Sequence, residues 1–288
     1  MASLDRSFLD TCPWKPGIFK GKVAFVTGGA GTICRVQTEA LVLLGADAVI
    51  VGRNTEKTER AARDIQRLRQ GATVLGIGST DVRDVHSVAA AVETAVRRLG
   101  RIDFVIAGAA GNFLADFNHL SANAFKSVVS IDLLGSFNTV KACFVELRKS
   151  RGAVLFVSAT LHYYGVPFQA HVGAAKAGVD ALSNALAVEL GPLGIRCNCI
   201  APGGIEGTEG MSRLMTADTD VGRKVPLARW GAARDIAEAT VYVFSPAASY
   251  VTGTVQVVDG GFWHMGNPAA DVYPGVVAAQ NSLENPKL

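Results

Sequence analysis

Charge is scarce in this 288-residue chain: Asp, Glu, Lys and Arg make up 18% and the formal net charge is +3. So mild a balance gives no footing for nucleic acid, which needs a basic patch or stripe. Five cysteines, Cys12, Cys34, Cys143, Cys197 and Cys199, form an odd count without a C-x-x-C pair. They read as reduced thiols, and without metal-ligand spacing no metal site is expected. No apolar run reaches the ~18 residues of a bilayer span, so no membrane span is expected. Residues Met1 to Lys15 carry Asp5, Arg6 and Asp10 and lack the apolar stretch of a secretory signal.

What is abundant is apolar and small: 49% of the residues are hydrophobic and 31 are glycine. A chain of this size can hide ~75% of its unfolded surface in one core. Val23 to Val26, Ala48 to Val51, Val74 to Ile77, Phe104 to Ala107 and Val154 to Val157 are continuous apolar runs. Continuity, rather than alternation, marks strands buried on both faces of a parallel sheet. Ile195 to Ile200 and Thr254 to Val258 complete the set. Between them lie helical patterns. One places Val85, Val88, Val92, Val96 and Leu99 on one face, with Asp84 as cap and Gly100 as stop. Ser121 to Ser150 reads as two helices end to end, and Gln169 to Leu190 as one long helix stopped by Gly191-Pro192. The expected fold is α/β: a single-domain, Rossmann-type doubly wound parallel sheet of about seven strands flanked by helices. The domain would span 1–288, with a core over about 17–263 and an irregular tail over 264–288.

Thr27-Gly28-Gly29-Ala30-Gly31-Thr32-Ile33-Cys34 follows the first apolar strand and opens a helix. Glycines there let backbone approach a pyrophosphate, and the helix N-terminus supplies amide donors. Gly28, Gly29, Gly31, Thr32 and Ile33 are therefore candidate cofactor contacts. The second strand ends at Gly52-Arg53-Asn54. An acidic residue at that point would take the ribose 2′-hydroxyl of NAD; an arginine pairs with a 2′-phosphate, so NADPH is the expected cofactor. Much further on, Lys176 is isolated among Val172, Gly173, Ala174, Ala175, Ala177 and Gly178. Such a charge reads as directed into a site rather than solvated. Asp132, in the apolar stretch Ile131-Asp132-Leu133-Leu134-Gly135, must be paired or protonated if buried. A cap between two helices is its simpler reading.

Gly173 to Gly178 resembles the active-site helix of the short-chain dehydrogenase/reductases, except that the tyrosine expected four residues before Lys176 is Val172. By that resemblance Lys176 holds the nicotinamide ribose, Ser158 is the strand-end serine, and Asp132 stands where the family has asparagine. Asp81-Val82 meets the adenine and Ala107-Gly108 the adenosine ribose. The last glycine of the T-G-x-x-x-G-x-G pattern is Cys34, which would hold the helix slightly further off.

More narrowly, Ala109 to Phe113, Asp132-x-x-Gly135, His171 to Asp180 and Ala201 to Gly210 resemble the peroxisomal branch of the 2,4-dienoyl-CoA reductases. The resemblance runs from Gly17 to about Trp263. It implies NADPH-dependent reduction of 2,4-dienoyl-CoA to trans-3-enoyl-CoA, with Asp132 and Lys176 supplying a proton through a water. The tyrosine function could also have moved to Tyr163 or Tyr164. Pro202, Gly203, Ile205 and Thr208 would cover the nicotinamide. Arg83, Asn112, Phe113, Ser121, Ala122, Asn123 and Arg213 would contact substrate, the two arginines meeting CoA phosphates. A homo-oligomer, tetramer or dimer, built on the long helices is implied by analogy. The ending Pro286-Lys287-Leu288 is similar to the S-K-L address read by the peroxisomal import receptor. The rivals are a carbonyl reductase using Tyr163 or Tyr164, and a catalytically silent NADP(H)-binding protein.

Overall fold

Val23–Thr27 (β1) and Phe104–Ala107 (β4) are buried along their whole length, and they lie side by side at the middle of the sheet. The computed structural model describes residues 3–208, 211 and 225–266. Around this pair stand β2 (Asp47–Val51), β3 (Val74–Ile77), β5 (Ala153–Val157), β6 (Arg196–Pro202) and β7 (Val255–Val258). The order is β3-β2-β1-β4-β5-β6-β7, and every pairing is parallel. All seven expected strands are present, within two residues at either end.

Helices cover both faces, which is why the strand sequences do not alternate. On one face lie α2 (Thr32–Leu43), α3 (Thr55–Gln66) and α9 (Ala233–Phe244), packed through Leu41, Ile65 and Ile236. On the other lie α4 (Val85–Leu99), α6 (Gly135–Ser150) and α8 (Ala170–Leu190), packed through Val92, Cys143 and Val179, with the short α7 (Leu161–Tyr164) against α8. Cys197 and Cys199, two residues apart on β6, share that second face, as the period of a strand requires. A short helix α1 (Ser7–Thr11) precedes the sheet and packs Phe8 into the first layer, while the Leu4 amide donates to Glu39 at 2.6 Å.

The long apolar stretch is not two helices end to end. It is one continuous run in which α5 (Ala122–Val129) passes through a π-helical turn, Ser130–Leu134, into α6. By length and a mean hydropathy of 1.4, residues 122–150 match a bilayer span, which the run-length reading of the sequence did not register. In the structure α6 lies against α4, β4 and β5, and 44% of the apolar window is buried there. The helix is thus a flank of the sheet.

The chain winds outward from β1 to β3, then returns to start β4 on the other side of β1. At that reversal the loops after β1 and β4 diverge, and the crevice they leave at the strand C-terminal ends is where this architecture takes ligands. A 3₁₀ turn, Phe262–Met265, runs into the start of the expected irregular tail; residues 267–288, with Pro286, Lys287 and Leu288, lie outside the described residues.

Candidate active site

A cleft of about 950 Å³ opens at this crevice. The β1–α2 turn forms its floor. Gly28 has φ +68°, and a Cβ there would come within 2.9 Å of the Ala109 Cα, so only glycine lets the two loops meet. Thr27 Oγ1 ties the second loop down, accepting the Gly108 amide at 3.2 Å. Thr32 opens α2 with 5% exposure and a side-chain oxygen lacking a partner among the described residues. A glycine cradle facing an unsatisfied hydroxyl at a helix N-terminus fits a dinucleotide pyrophosphate. Gly28, Gly31, Thr32 and Ile33 line the cleft; Gly29 does not, because it backs onto Ile50.

Arg53 stands at the mouth of the cleft beside Asn54, whose side chain caps α3 by accepting the Lys57 amide at 2.8 Å. Asp81, Val82 and Gly108 also line it, whereas Ala107 is sealed inside at the end of β4. Arg83 is not where a CoA phosphate contact was expected. Its guanidinium forks onto Asp81, with Nε 3.0 and 3.1 Å from the two carboxylate oxygens, and it does not line the cleft. A carboxylate two residues away thus engages the fork of the guanidinium. These bonds, with the fields of Arg83 and Arg53, hold Asp81 below the usual carboxylate range against the pull of burial.

At the other end lie Asp132 and Lys176, their side chains 0% and 8% exposed. Asp132 is not a cap. It sits in the π turn, a wider ring frequently found at functional sites. Its Oδ1 accepts the Gly111 amide at 2.7 Å, and its Oδ2 faces Lys176 Nζ at 3.1 Å. Nζ in turn donates to the Val157 carbonyl at 2.9 Å. The Asp132-x-x-Gly135 spacing has a steric origin: a Cβ on Gly135 would press to 2.5 Å from Val82. Three residues on, Asn138 donates to the Val82 carbonyl at 2.8 Å, so one helix fixes both ends of the cleft. Ser158 lines the cleft just past β5, 4% exposed, and Val172 also lines it, at the position where the family resemblance leads one to expect a tyrosine.

Tyr163 is turned away. It does not line the cleft; its hydroxyl donates to Asp180 at 3.2 Å and its ring packs 5.3 Å from that of Trp263. Burial and the Asp180 carboxylate push its phenol well above the ordinary range, so it is a poor proton donor in this placement. Tyr164 does line the cleft. Asp180 itself was missed in the sequence, where it is one turn beyond Lys176. Burial pushes its carboxyl up, but bonds from His162 at 2.8 Å and from Tyr163, with Ser158 beside it, leave it net below the usual range.

Among the remaining expected substrate contacts, Asn112 lines the cleft. Phe113 does not; it stacks on His171 with ring centroids 4.3 Å apart. Ser121 caps α5 by accepting the Ala124 amide at 3.2 Å, and Ala122 and Asn123 form that helix's first turn, away from the cleft lining. Arg213 lies outside the described residues. Pro202, Gly203, Ile205 and Thr208 form the opposite wall, where Thr208 Oγ1 donates to the Ile205 carbonyl at 2.8 Å. Leu114, Phe168, Gln169, Trp230 and Phe262 also line the cleft, and nothing periodic in the sequence marked them.

A nucleotide crevice at the sheet reversal, lined by a lysine on α8 and a strand-end serine, defines the reductase class to which this chain belongs: the short-chain dehydrogenase/reductases. Residues 28–263 match the family model described as enoyl-(acyl carrier protein) reductase. Among named relatives, the chain is 66% identical over 267 residues to peroxisomal 2,4-dienoyl-CoA reductase SPS19, (3E)-enoyl-CoA-producing, of Saccharomyces cerevisiae, covering 92% of this chain and 91% of that one. It is 40% identical to the peroxisomal 2,4-dienoyl-CoA reductase of Danio rerio, over 93% of this chain and 90% of the relative. Levodione reductase has a similar structure, with TM-score 0.79 and 31% identity over 84% of this chain and 98% of that chain. So does the 3-ketoacyl-(acyl-carrier-protein) reductase of Brucella melitensis in complex with NADH, with TM-score 0.77 and 27% identity over 85% of this chain and 99% of that one.

Proposed function

We propose that this chain reduces 2,4-dienoyl-CoA esters to trans-3-enoyl-CoA with NADPH. The observation that carries the reading is the buried Asp132–Lys176 pair beside Val172: a charged relay retained where the phenol is gone. NADPH, when bound, supplies the hydride. In a conjugated dienoyl thioester the hydride goes to the far alkene carbon and negative charge runs back to the thioester oxygen. No donor strong enough to protonate an alkoxide is required; the proton goes to the carbon beside the carbonyl. Asp132, oriented by the Gly111 amide, and Lys176, oriented by the Val157 carbonyl, hold the water that delivers it. Asn112 and Ser158 lie on the thioester side, and Arg53 takes the 2′-phosphate that distinguishes NADPH from NADH.

The names of the relatives support both the substrate and residence in the peroxisome. Diffuse cytosolic fluorescence of the tagged chain would refute that residence. Exposed Leu134, Phe137 and Val145 on the long helix, with Val188 on α8, support a homo-oligomer; a monomer by native mass spectrometry would refute it.

The test of the activity follows NADPH oxidation with 2,4-hexadienoyl-CoA beside a simple ketone, for wild type, Asp132→Asn and Lys176→Ala. Turnover of the dienoyl thioester alone, falling by about 100-fold or more in both variants, is expected. Ketone turnover that survives Asp132→Asn would favour the carbonyl reductase, and NADPH binding without turnover the silent protein.

A further inference from the structure

The first turn of α8 holds a polar group that the reaction above does not use. Gln169, immediately before Ala170, is 3% exposed, lines the cleft, and keeps its Oε1 without a hydrogen-bond partner among the described residues. It does not cap its own helix. Phe168 before it has φ +66°, a conformation uncommon for an aromatic residue, and its carbonyl accepts the Ala115 amide at 3.1 Å, binding the two loops at the cleft mouth together. Backbone strain next to an unsatisfied buried group is a combination that points to a ligand.

Gln169, Val172 and Lys176 follow the i, i+3, i+7 spacing of one helical face, and all three line the cleft. Gln169 is therefore about 10 Å along the helix axis from the lysine, toward its N-terminus. The ladder of α8 starts with the Gly173 amide on the Gln169 carbonyl at 2.8 Å, so the amides before it have no partner within the helix. An orphaned acceptor next to opening N–H donors is complementary to a group that carries one N–H and one C=O. That group is a secondary amide. Acyl-CoA has one two carbons beyond the thioester sulfur.

We infer that Gln169, with the first turn of α8, is the subsite for the pantetheine amide next to the thioester, Oε1 accepting its N–H. The inference rests on the acyl-CoA reading of the cleft and adds to it: recognition of the arm near the sulfur, separate from recognition of phosphates. Holding that amide fixes the distance between the thioester and the Asp132–Lys176 pair.

The experiment compares two ligands that cannot be reduced, hexanoyl-N-acetylcysteamine and the S-pentyl thioester of hexanoic acid, by calorimetric Kd on the NADPH-loaded protein. The first carries the amide; the second replaces it with methylenes. Wild type is expected to bind the first about tenfold more tightly, and Gln169→Leu to reduce that ratio to near unity. Gln169→Glu keeps an acceptor oxygen at a helix N-terminus and is expected to retain most of the preference. Equal binding of the two thioesters by wild type would overturn the inference, whether or not the variants fold. So would a Gln169→Leu protein that loses affinity for both ligands alike, since the carboxamide would then play no part in telling the amide from methylenes. Because neither ligand reacts, the result is readable even if the wild-type protein does not turn over dienoyl-CoA.

Discussion

Cys34 packs its sulfur over Gly108: Sγ lies 3.6 Å from the Gly108 carbonyl, and a Cβ on Gly108 would stand 2.2 Å from that sulfur. The glycine missing from the end of the β1–α2 motif is thus answered across the cleft floor by a glycine after β4. Burial pushes the Cys34 thiol up to about 12, so it packs there as a neutral side chain. Gly108→Ala should destabilise the wild type and be better tolerated with Cys34→Ala. The coupling in a double-mutant cycle from urea unfolding should be about 0.5–3 kcal/mol. Simple additivity would refute the contact.

Tyr163→Phe should leave dienoyl-CoA turnover within about threefold of wild type, since His162 still holds Asp180. The relocated-tyrosine rival demands a loss of about 100-fold or more from Tyr163→Phe or Tyr164→Phe. Steady-state kcat/KM for the two variants separates the readings.

Arg53→Asp should turn cofactor preference toward NADH by removing the cation and adding a carboxylate suited to ribose hydroxyls. The Kd values of NADPH and NADH, measured by fluorescence, should cross over. Unchanged values would remove Arg53 from the 2′-phosphate site and direct attention to Lys57, which lines the same end of the cleft.

Asp180 ionises more readily folded than unfolded, despite burial, because His162, Ser158 and Tyr163 surround it. A depressed folded pKa means its stabilisation is complete above the unfolded value, near 3.8, and is lost as pH falls through the folded one. Between about pH 5 and about pH 2 the wild type should therefore lose stability more steeply than Asp180→Asn. Parallel Tm curves over that window would show the carboxylate to be indifferent.

The parallel sheet was legible in the strand sequences because burial on both faces removes alternation, and each run overlaps one of β1 to β7. The cleft floor was legible for a similar reason: the glycines between Thr27 and Thr32 serve a purely local backbone need. Asp132 was conspicuous as a charge in an apolar helix, though the π turn that holds it was not.

Direction was what the sequence withheld. Two adjacent tyrosines, Tyr163 and Tyr164, are equivalent in composition, yet one faces Asp180 and the other the cleft. Arg83 was expected to meet a phosphate, and in the structure its guanidinium lies on Asp81. Gln169 looked like the ordinary start of a helix until the fold closed Phe168 against Ala115 around it. Local sequence by itself determined the strands, the glycine turn after β1 and the presence of a buried acid and base, because periodicity and glycine chemistry act over a few residues. Only the tertiary structure decided which polar groups share the cleft, because side-chain directions in loops are settled by contacts between segments far apart in the chain.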